Sequence, residues 1–110
     1  MKVDRELHGD DIVLVPRERI DSAVALAFEE IAELAVADAT TRVIFDFSAL
    51  DYISSAGLRV VLKTAKQCRT ARLGFVLCGL APPIAKTFEI TGLSNLLTIV
   101  RDRTAAFDTR

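Results

Sequence analysis

Two adjacent serines, Ser54 and Ser55, are the side chains of this sequence best placed for regulatory chemistry. They follow a strongly apolar run at residues 42–47, and they open a helical pattern that continues from Gly57. The first turn of a helix has backbone N–H groups without intrahelical partners, so serine is a favoured cap there. The same position favours a phosphate, because the free N–H groups and the positive helix end both attract negative charge. The residues alone leave two interpretations open: two capping serines, or a serine that is phosphorylated and dephosphorylated as a switch.

Catalysis by these serines is poorly supported by the rest of the chain. There is no GxSxG elbow around them, and the only histidine, His8, falls near a predicted turn where we expect it to be exposed. A hydroxyl without an activating base is a weak nucleophile, although it can be the substrate of a kinase. The sequence has no Walker-type or GxGxxG loop, and Cys68 and Cys78 lack metal-binding spacing, so we expect both thiols to be buried. We therefore predict a regulated binding module with no cofactor and no metal, not an enzyme.

Asp46, at the end of the apolar run, raises one further alternative, the phosphoacceptor of a response regulator. That chemistry requires additional carboxylates to hold Mg²⁺ and a lysine to receive the phosphoryl charge. The predicted strand end at Val15–Pro16 supplies no acidic pair, so the sequence does not favour this alternative.

Composition and charge narrow the function classes. A chain of 110 residues with 51% apolar and 26% charged residues predicts one globular domain, residues 1–110. The net charge of −1, with no segment rich in Lys and Arg, argues against a nucleic-acid partner. No apolar run approaches the roughly 20 residues of a membrane helix, and the N-terminus lacks an apolar signal region, so we expect no membrane association and a cytoplasmic protein.

The elements that must position the serines alternate between strands and helices. The predicted order β-β-α-β-α-β-α-β-α indicates an α/β fold, a mixed and mostly parallel sheet of about five strands packed with about four helices. Strands are predicted at residues 3–7, 12–15, 43–45, 73–78 and 96–100. Helices are predicted from residue 20 to 38 with Asp21 or Ser22 as cap, from 57 to 68, from Pro82 to a C-terminal Gly92, and from an Asp102 cap to 107.

Apolar spacing predicts which face of each long helix is buried. The predicted stripe of the first helix is Ile20, Val24, Ala27, Phe28, Ile31, Leu34 and Ala35. The predicted stripe of the second is Leu58, Val61, Leu62, Ala65 and Cys68.

Two motifs resemble the signature of the STAS domain, the fold of bacterial anti-sigma factor antagonists. In the first, a strand ending in Asp leads through an aromatic and an apolar residue to a small polar pair, a small residue, Gly and Leu. Here these are Phe45–Phe47 followed by Tyr52–Leu58. The second, Pro83–Leu93, resembles a family helix that ends with Phe, an apolar residue, Ser or Thr, Gly and Leu. The resemblance runs from about residue 10 to the C-terminus and implies a single STAS domain.

The resemblance also implies a mechanism and a set of partners. The unphosphorylated protein would bind an anti-sigma factor that is also a serine kinase, and this would release the sigma factor. Phosphorylation would then end the complex, and a metal-dependent serine phosphatase would reset the protein, which is expected to be a monomer on its own. The implied acceptor is Ser55, two residues before Gly57, with Ser54 as the runner-up. We expect Ser55→Ala to fold and to lose at most about 1 kcal/mol of capping.

The partner-binding face implied by the resemblance surrounds the serines. It consists of Asp51, Tyr52, Ile53, Ser54, Ser55, Ala56, Gly57 and Arg59, with neighbouring loops at residues 17–21 and 80–83. The chain departs from the family pattern in two places. The family often has Asp immediately before the acceptor, where this chain has Ser54, and often Gly-Glu-Leu-Asp where this chain has Pro16–Arg19.

Two other functions stay open for a domain of this kind. One is an adaptor subunit of a transport ATPase, which a serine at position 55 does not exclude. The other is a nucleotide-sensing STAS module, because the start of a helix could admit a phosphate-bearing ligand.

Overall fold

Strands and helices alternate along residues 1–108, the part of the chain that the computed structural model describes. Thr109 and Arg110, the last two residues of the predicted domain, lie outside the described residues. The strands are β1 (Val3–His8), β2 (Asp11–Pro16), β3 (Arg42–Asp46), β4 (Gly74–Cys78) and β5 (Thr98–Val100). The helices are α1 (Ala25–Asp38), α2 (Ser55–Thr70), α3 (Pro82–Ile90) and α4 (Arg103–Asp108), with a 3₁₀ turn at Leu93–Asn95. Within residues 1–108, no helix is long and apolar enough to cross a membrane.

The five strands form one sheet in the order β1-β2-β3-β4-β5. β1 runs antiparallel to β2, and the other three pairs are parallel, which confirms the predicted mixed and mostly parallel sheet. Parallel strands end at the same edge of a sheet, so the loops that follow β2, β3 and β4 emerge together. This edge therefore carries all three segments of the partner-binding face that the family resemblance implied.

The two faces of the sheet are covered unequally. On one face, α1, α2 and α3 bury a large apolar core that includes Phe28, Phe45, Phe47 and Phe88. On the other face, the short α4 covers a smaller cluster through Ala106. Both thiols are buried as predicted, and burial raises the pKa of Cys68 to about 11 and that of Cys78 to about 12, so neither is a reactive thiolate near neutral pH.

Helix α1 begins later than the sequence predicted, and the expected cap is wrong. Asp21 Oδ1 accepts hydrogen bonds from the backbone of Ala23 and Val24, at 3.0 and 3.2 Å, and this forms a turn ahead of the helix. The helix itself starts at Ala25, and among residues 1–108 no side chain caps its N-terminus at Val24. The five residues before Ala25 are therefore free to form the loop that reaches the serines.

The predicted buried stripe of α1 is also wrong at Leu34, which is 62% exposed. The buried residues of the helix are Ala25, Phe28, Ala32 and Ala35. They lie on one face at helical spacing, and Leu34 lies well away from it. Three of the four are alanine, and the element packed most closely against α1 is α2. In α2 the predicted Val61 and Cys68 are buried, and the unpredicted Val60 and Thr64 join them.

An ionic network fastens α4 to the sheet. Arg103 donates to Asp46 at 2.5 Å and to both carboxylate oxygens of Glu6 at 2.9 Å. The Asp46 side chain also accepts a hydrogen bond from the backbone of Ser48 at 2.9 Å. Burial raises the pKa of Asp46, but the hydrogen bonds from Arg103 and Ser48 outweigh it and hold this pKa below the ordinary aspartate value.

Asp46→Asn is expected to lower the free energy of unfolding at pH 7 by about 2 kcal/mol, because it leaves Arg103 short of a partner. A carboxylate with a lowered folded-state pKa adds stability above its unfolded pKa, and this stability is lost as the pH falls through the folded pKa. The difference between variant and wild type should therefore shrink below about pH 4, as urea unfolding at pH 7 and pH 3 would measure. Asp4→Asn is the matched control, because Asp4 pairs with Arg17 on the surface. An equal loss in both variants would contradict this account.

Candidate functional site

The serines lie at the end of a short loop, residues 47–54, that joins β3 to α2. Three buried side chains fix this loop to the core: Phe47, Leu50 and Ile53. The backbone N–H of Phe47 donates to the carbonyl of Cys78 at 2.9 Å, so the loop is also tied to the end of β4. Between the anchors, Asp51 and Tyr52 face solvent. The loop therefore offers exposed side chains on a rigid backbone.

A second loop is joined to the serine loop by backbone hydrogen bonds. Ile20 N–H donates to the Tyr52 carbonyl at 3.1 Å, and Ser54 N–H donates to the Ile20 carbonyl at 2.8 Å. These bonds form a parallel bridge between Ile20 and Ile53. Above it, the guanidinium carbon of Arg19 lies 4.4 Å from the centre of the Tyr52 ring, in cation–π geometry. Among the described residues, the predicted segments 17–21 and 51–55 are thus brought into direct contact.

The third predicted segment, residues 80–83, lies at the same sheet edge but is not hydrogen-bonded to the serine loop within residues 1–108. It follows β4 and supplies the first two helical positions of α3 with prolines. Gly79, just before it, has φ +73° and lies against Asp46 and Ser48, at the beginning of the serine loop. This segment therefore lies near the serine loop. Within residues 1–108 it lacks the backbone hydrogen bonds that join residues 17–21 to that loop.

The two serines have different structural positions. Ser54 is the N-cap of α2, and its Oγ accepts a hydrogen bond from the Gly57 N–H at 3.1 Å. Ser54 is half-buried. Ser55 is the first residue of the helix, it is exposed, and within residues 1–108 its hydroxyl makes no hydrogen bond. The expectation that Ser55 contributes the capping is corrected, since that contact belongs to Ser54.

Ser54→Ala is expected to lower the free energy of unfolding by about 1 kcal/mol, because it removes the helix cap. Ser55→Ala should change it by less than about 0.5 kcal/mol, because an exposed hydroxyl without a partner is lost. Urea unfolding of both variants, followed by circular dichroism, measures the difference. Equal losses would mean that the two serines share the capping.

Gly57 explains how closely the two loops approach. An added Cβ would lie 2.7 Å from Ile53 Cγ1 and 2.8 Å from Ile20 Cγ2, both of which are buried. The glycine is required here by close packing and not by its backbone angle, since its φ lies outside the left-handed region. The sequence could identify Gly57 by its place in the motif, but not Ile20 as the neighbour that excludes a side chain.

Charge is distributed unevenly between the two helices that flank the site. The sequence of α2 contains only basic charges, at Arg59, Lys63, Lys66 and Arg69, and that of α1 only acidic ones, at Glu29, Glu30, Glu33 and Asp38. Lys63 joins the helices, with its Nζ 2.8 Å from Glu29 and 3.7 Å from Glu33. The acidic residues of α1 are therefore partly neutralised by Lys63. Near the start of α2, Arg59 forms no ion pair within residues 1–108.

Asp46 is not placed to serve as a phosphoacceptor. Its side chain is only 5% exposed, and both of its oxygens already accept hydrogen bonds, from Ser48 and Arg103. In the part of the chain that the structure describes, no cluster of His, Cys, Asp or Glu could hold a metal ion beside it.

Comparisons with known proteins identify the family of this chain. The family model of the STAS domain matches residues 2–106. A protein of Bordetella bronchiseptica, provisionally named anti-sigma factor antagonist BtrV, is 46% identical over 89 residues, which cover 79% of this chain and 75% of that protein. The anti-sigma-B factor antagonist of Listeria monocytogenes is 30% identical over 95 residues, which cover 86% of this chain and 83% of that protein.

A solved structure shows the same fold. The Bacillus cell fate determinant SpoIIAA in its phosphorylated form matches with a TM-score of 0.74 and 19% sequence identity, over 99% of this chain and 100% of that one. At this identity the match shows the fold alone, and it confirms the STAS fold that the two sequence motifs implied.

Proposed function

This chain belongs to the STAS domain family, and from that premise we propose that it is an anti-sigma factor antagonist controlled by phosphorylation of Ser55. In the unphosphorylated form it binds an anti-sigma factor that is itself a serine kinase, and the sigma factor is released. Transfer of a phosphoryl group to Ser55 dissociates the complex. A metal-dependent serine phosphatase restores the binding form. The chain acts in the cytoplasm as a binding module and is the substrate of these enzymes, not an enzyme.

The observation that carries this proposal is that the two serines have different structural roles: Ser54 caps the helix, and Ser55 is exposed. Ser54 Oγ accepts a hydrogen bond from the Gly57 N–H, so this hydroxyl is engaged in capping the helix. Ser55 is exposed one residue later on a backbone fixed by the Ile20–Ile53 bridge. A kinase therefore meets a free hydroxyl at a defined place. The same division accounts for the departure from the family pattern, because Ser and Asp are both good N-caps and Ser54 can replace the usual Asp in that role.

Phosphorylation at this position changes the surface more than the fold. A phosphate adds a charge of about −1.5 to −2 and three acceptor oxygens. Within residues 1–108 the Ser55 hydroxyl makes no hydrogen bond that the phosphate would break, and the helix start favours negative charge. A partner docked against this helix end would have to desolvate the phosphate dianion, and this cost would lower its affinity.

The binding face we propose combines exposed groups from two loops and one helix. Tyr52 and Arg19 form a stacked pair, Ser55 follows Tyr52 by three residues, and Arg59 follows Ser55 by one helical turn. Ile53, Ala56 and Gly57 contribute by fixing this arrangement, since Ile53 and Gly57 are buried and Ala56 is half-buried. Only the exposed members can contact a partner directly.

Affinity purification from the organism's own cells tests the proposal. A tagged Ser55→Ala chain should retain a serine kinase that mass spectrometry identifies, and a tagged Ser55→Asp chain should retain less of it. Addition of ATP should release the kinase from wild-type chain but not from Ser55→Ala. Recovery of a transport ATPase with both variants, in place of a kinase, would reject the partner switch in favour of the adaptor function.

A further inference from the structure

Two arginines belong to the segments that meet at the serine loop, Arg19 before Ile20 and Arg59 in α2, and the structure gives them different roles. Arg19 comes from the loop before α1, where its guanidinium is stacked 4.4 Å from the centre of the Tyr52 ring. Arg59 comes from α2 itself, one helical turn after Ser55. Arg59 is exposed, and within residues 1–108 it forms no ion pair. One cation at the site is therefore already engaged, and the other is available.

The spacing of Ser55 and Arg59 suits a contact along the helix surface. Residues four apart on an α-helix are neighbours, about 5–6 Å between Cβ atoms. An anion placed N-terminal to a cation at this spacing is the more favourable orientation of such a pair. The planar guanidinium of arginine also matches phosphate oxygens in a two-pronged hydrogen bond, which a lysine cannot reproduce.

Within residues 1–108, no carboxylate near the site forms an ion pair with Arg59, so a phosphate on Ser55 would meet no established competitor. The sequence of α2 contains no acidic residue. From α1, Glu29 is hydrogen-bonded to Lys63 at 2.8 Å, and from the preceding loop Asp21 is hydrogen-bonded to backbone N–H groups. Glu18, in the loop before α1, and Asp51, in the serine loop, are the exposed carboxylates that remain near the site. Both lie outside α2, and within residues 1–108 neither forms an ion pair with Arg59.

We propose that Arg59 captures the phosphate of phosphorylated Ser55, and that this contact is part of the switch. The inference rests on the proposed function, because it assigns a role at the same acceptor. In the unphosphorylated chain, Arg59 is a free cation on the binding face and can meet a carboxylate of the partner. In the phosphorylated chain, the phosphate occupies Arg59, so the partner loses this cation and faces added negative charge.

The contact can be measured in the isolated protein, whether or not a kinase uses Ser55 in cells. Phosphoserine is installed at position 55 during translation, and the phosphate is titrated by ³¹P NMR. Arginine favours the dianion and so lowers the second pKa of the phosphate, which is about 6 when unperturbed. Arg59→Gln should therefore raise this pKa by roughly half a unit relative to wild type. Arg59→Lys keeps the charge without the fork and should raise it less.

Two matched variants identify the source of any shift. Arg19→Gln removes the stacked arginine and should raise the phosphate pKa less than Arg59→Gln does. Lys86→Gln removes an exposed charge from α3 and should leave this pKa unchanged. An unchanged pKa in Arg59→Gln, or a larger rise in Arg19→Gln, would overturn the role of Arg59. Neither of those results would bear on whether Ser55 is phosphorylated in cells, which the proposed function requires and which is measured separately.

Discussion

Phosphate on Ser55 is expected to lower the affinity of this chain for the proposed serine kinase by at least about 100-fold. The proposed acceptor, Ser55, is exposed at the first residue of α2, directly after a loop whose backbone is anchored by buried side chains. Because the loop cannot move away, a docked partner must bury the new dianion or dissociate. The loss should come from faster dissociation and from the missing Arg59 contact, with the fold of the free chain unchanged.

Calorimetry or surface binding with the purified kinase measures this effect on chain that carries phosphoserine at position 55. The control carries phosphoserine at position 40 in place of Thr40, which is exposed in the loop between α1 and β3, at the opposite edge of the sheet. Both proteins gain the same charge, so general repulsion affects them equally. Similar losses from the two positions would show that net charge, and not the site at α2, governs binding.

Gly57→Val is expected to lower the free energy of unfolding by about 2 to 3 kcal/mol. In an exposed helix, replacement of glycine by valine would be slightly stabilising, because glycine has the lower helix propensity. Here the new Cβ would meet two buried isoleucine side chains, from Ile20 and Ile53, at distances below 3 Å. Relief of the clash would require separation of the two loops and loss of the hydrogen bonds between them. A loss of stability, in place of the slight gain expected from helix propensity, would therefore show that close packing behind the serines requires glycine at position 57.

Urea unfolding of Gly57→Val measures this loss, with Lys66→Val as the matched control. Lys66 is exposed in the middle of the same helix, so its replacement shows the helix-propensity cost of valine alone, about 0.5 kcal/mol. A Gly57→Val protein as stable as wild type would mean that Ile20 and Ile53 move aside without cost. A destabilised variant should also bind the kinase more weakly, because the serine loop would no longer be fixed.

The fold was largely predictable because each element carries a local signal. Uninterrupted apolar runs marked the central strands, helical spacing marked α2, and Pro82 with Gly92 marked the limits of α3. The start of α1 was not predictable in this way. Asp21 has the residue type of a helix cap, but its carboxylate closes a turn, because the chain must first pair Ile20 with Ile53. That pairing is a tertiary contact between residues 33 positions apart, and no local pattern encodes it.

The site was predictable in position but not in its internal arrangement. The motif identified the residues from Asp51 to Arg59, and the alternation of elements placed them at the end of β3. Which serine caps the helix depends on where the first helical turn closes, and the boundary from sequence is uncertain by more than the one residue that separates Ser54 from Ser55. The stack of Arg19 on Tyr52 and the pairing of Glu29 with Lys63 also depend on how separate elements meet.

Phosphopeptide mass spectrometry on the chain from its own cells, with and without stress, tests the central claim most directly. We expect a phosphate on Ser55 whose occupancy changes with the condition, and none on Ser54, whose hydroxyl is held at the helix cap. A phosphate on Ser54 in place of Ser55 would contradict the assignment of the acceptor. The absence of phosphate from both serines under every condition would contradict the partner switch itself.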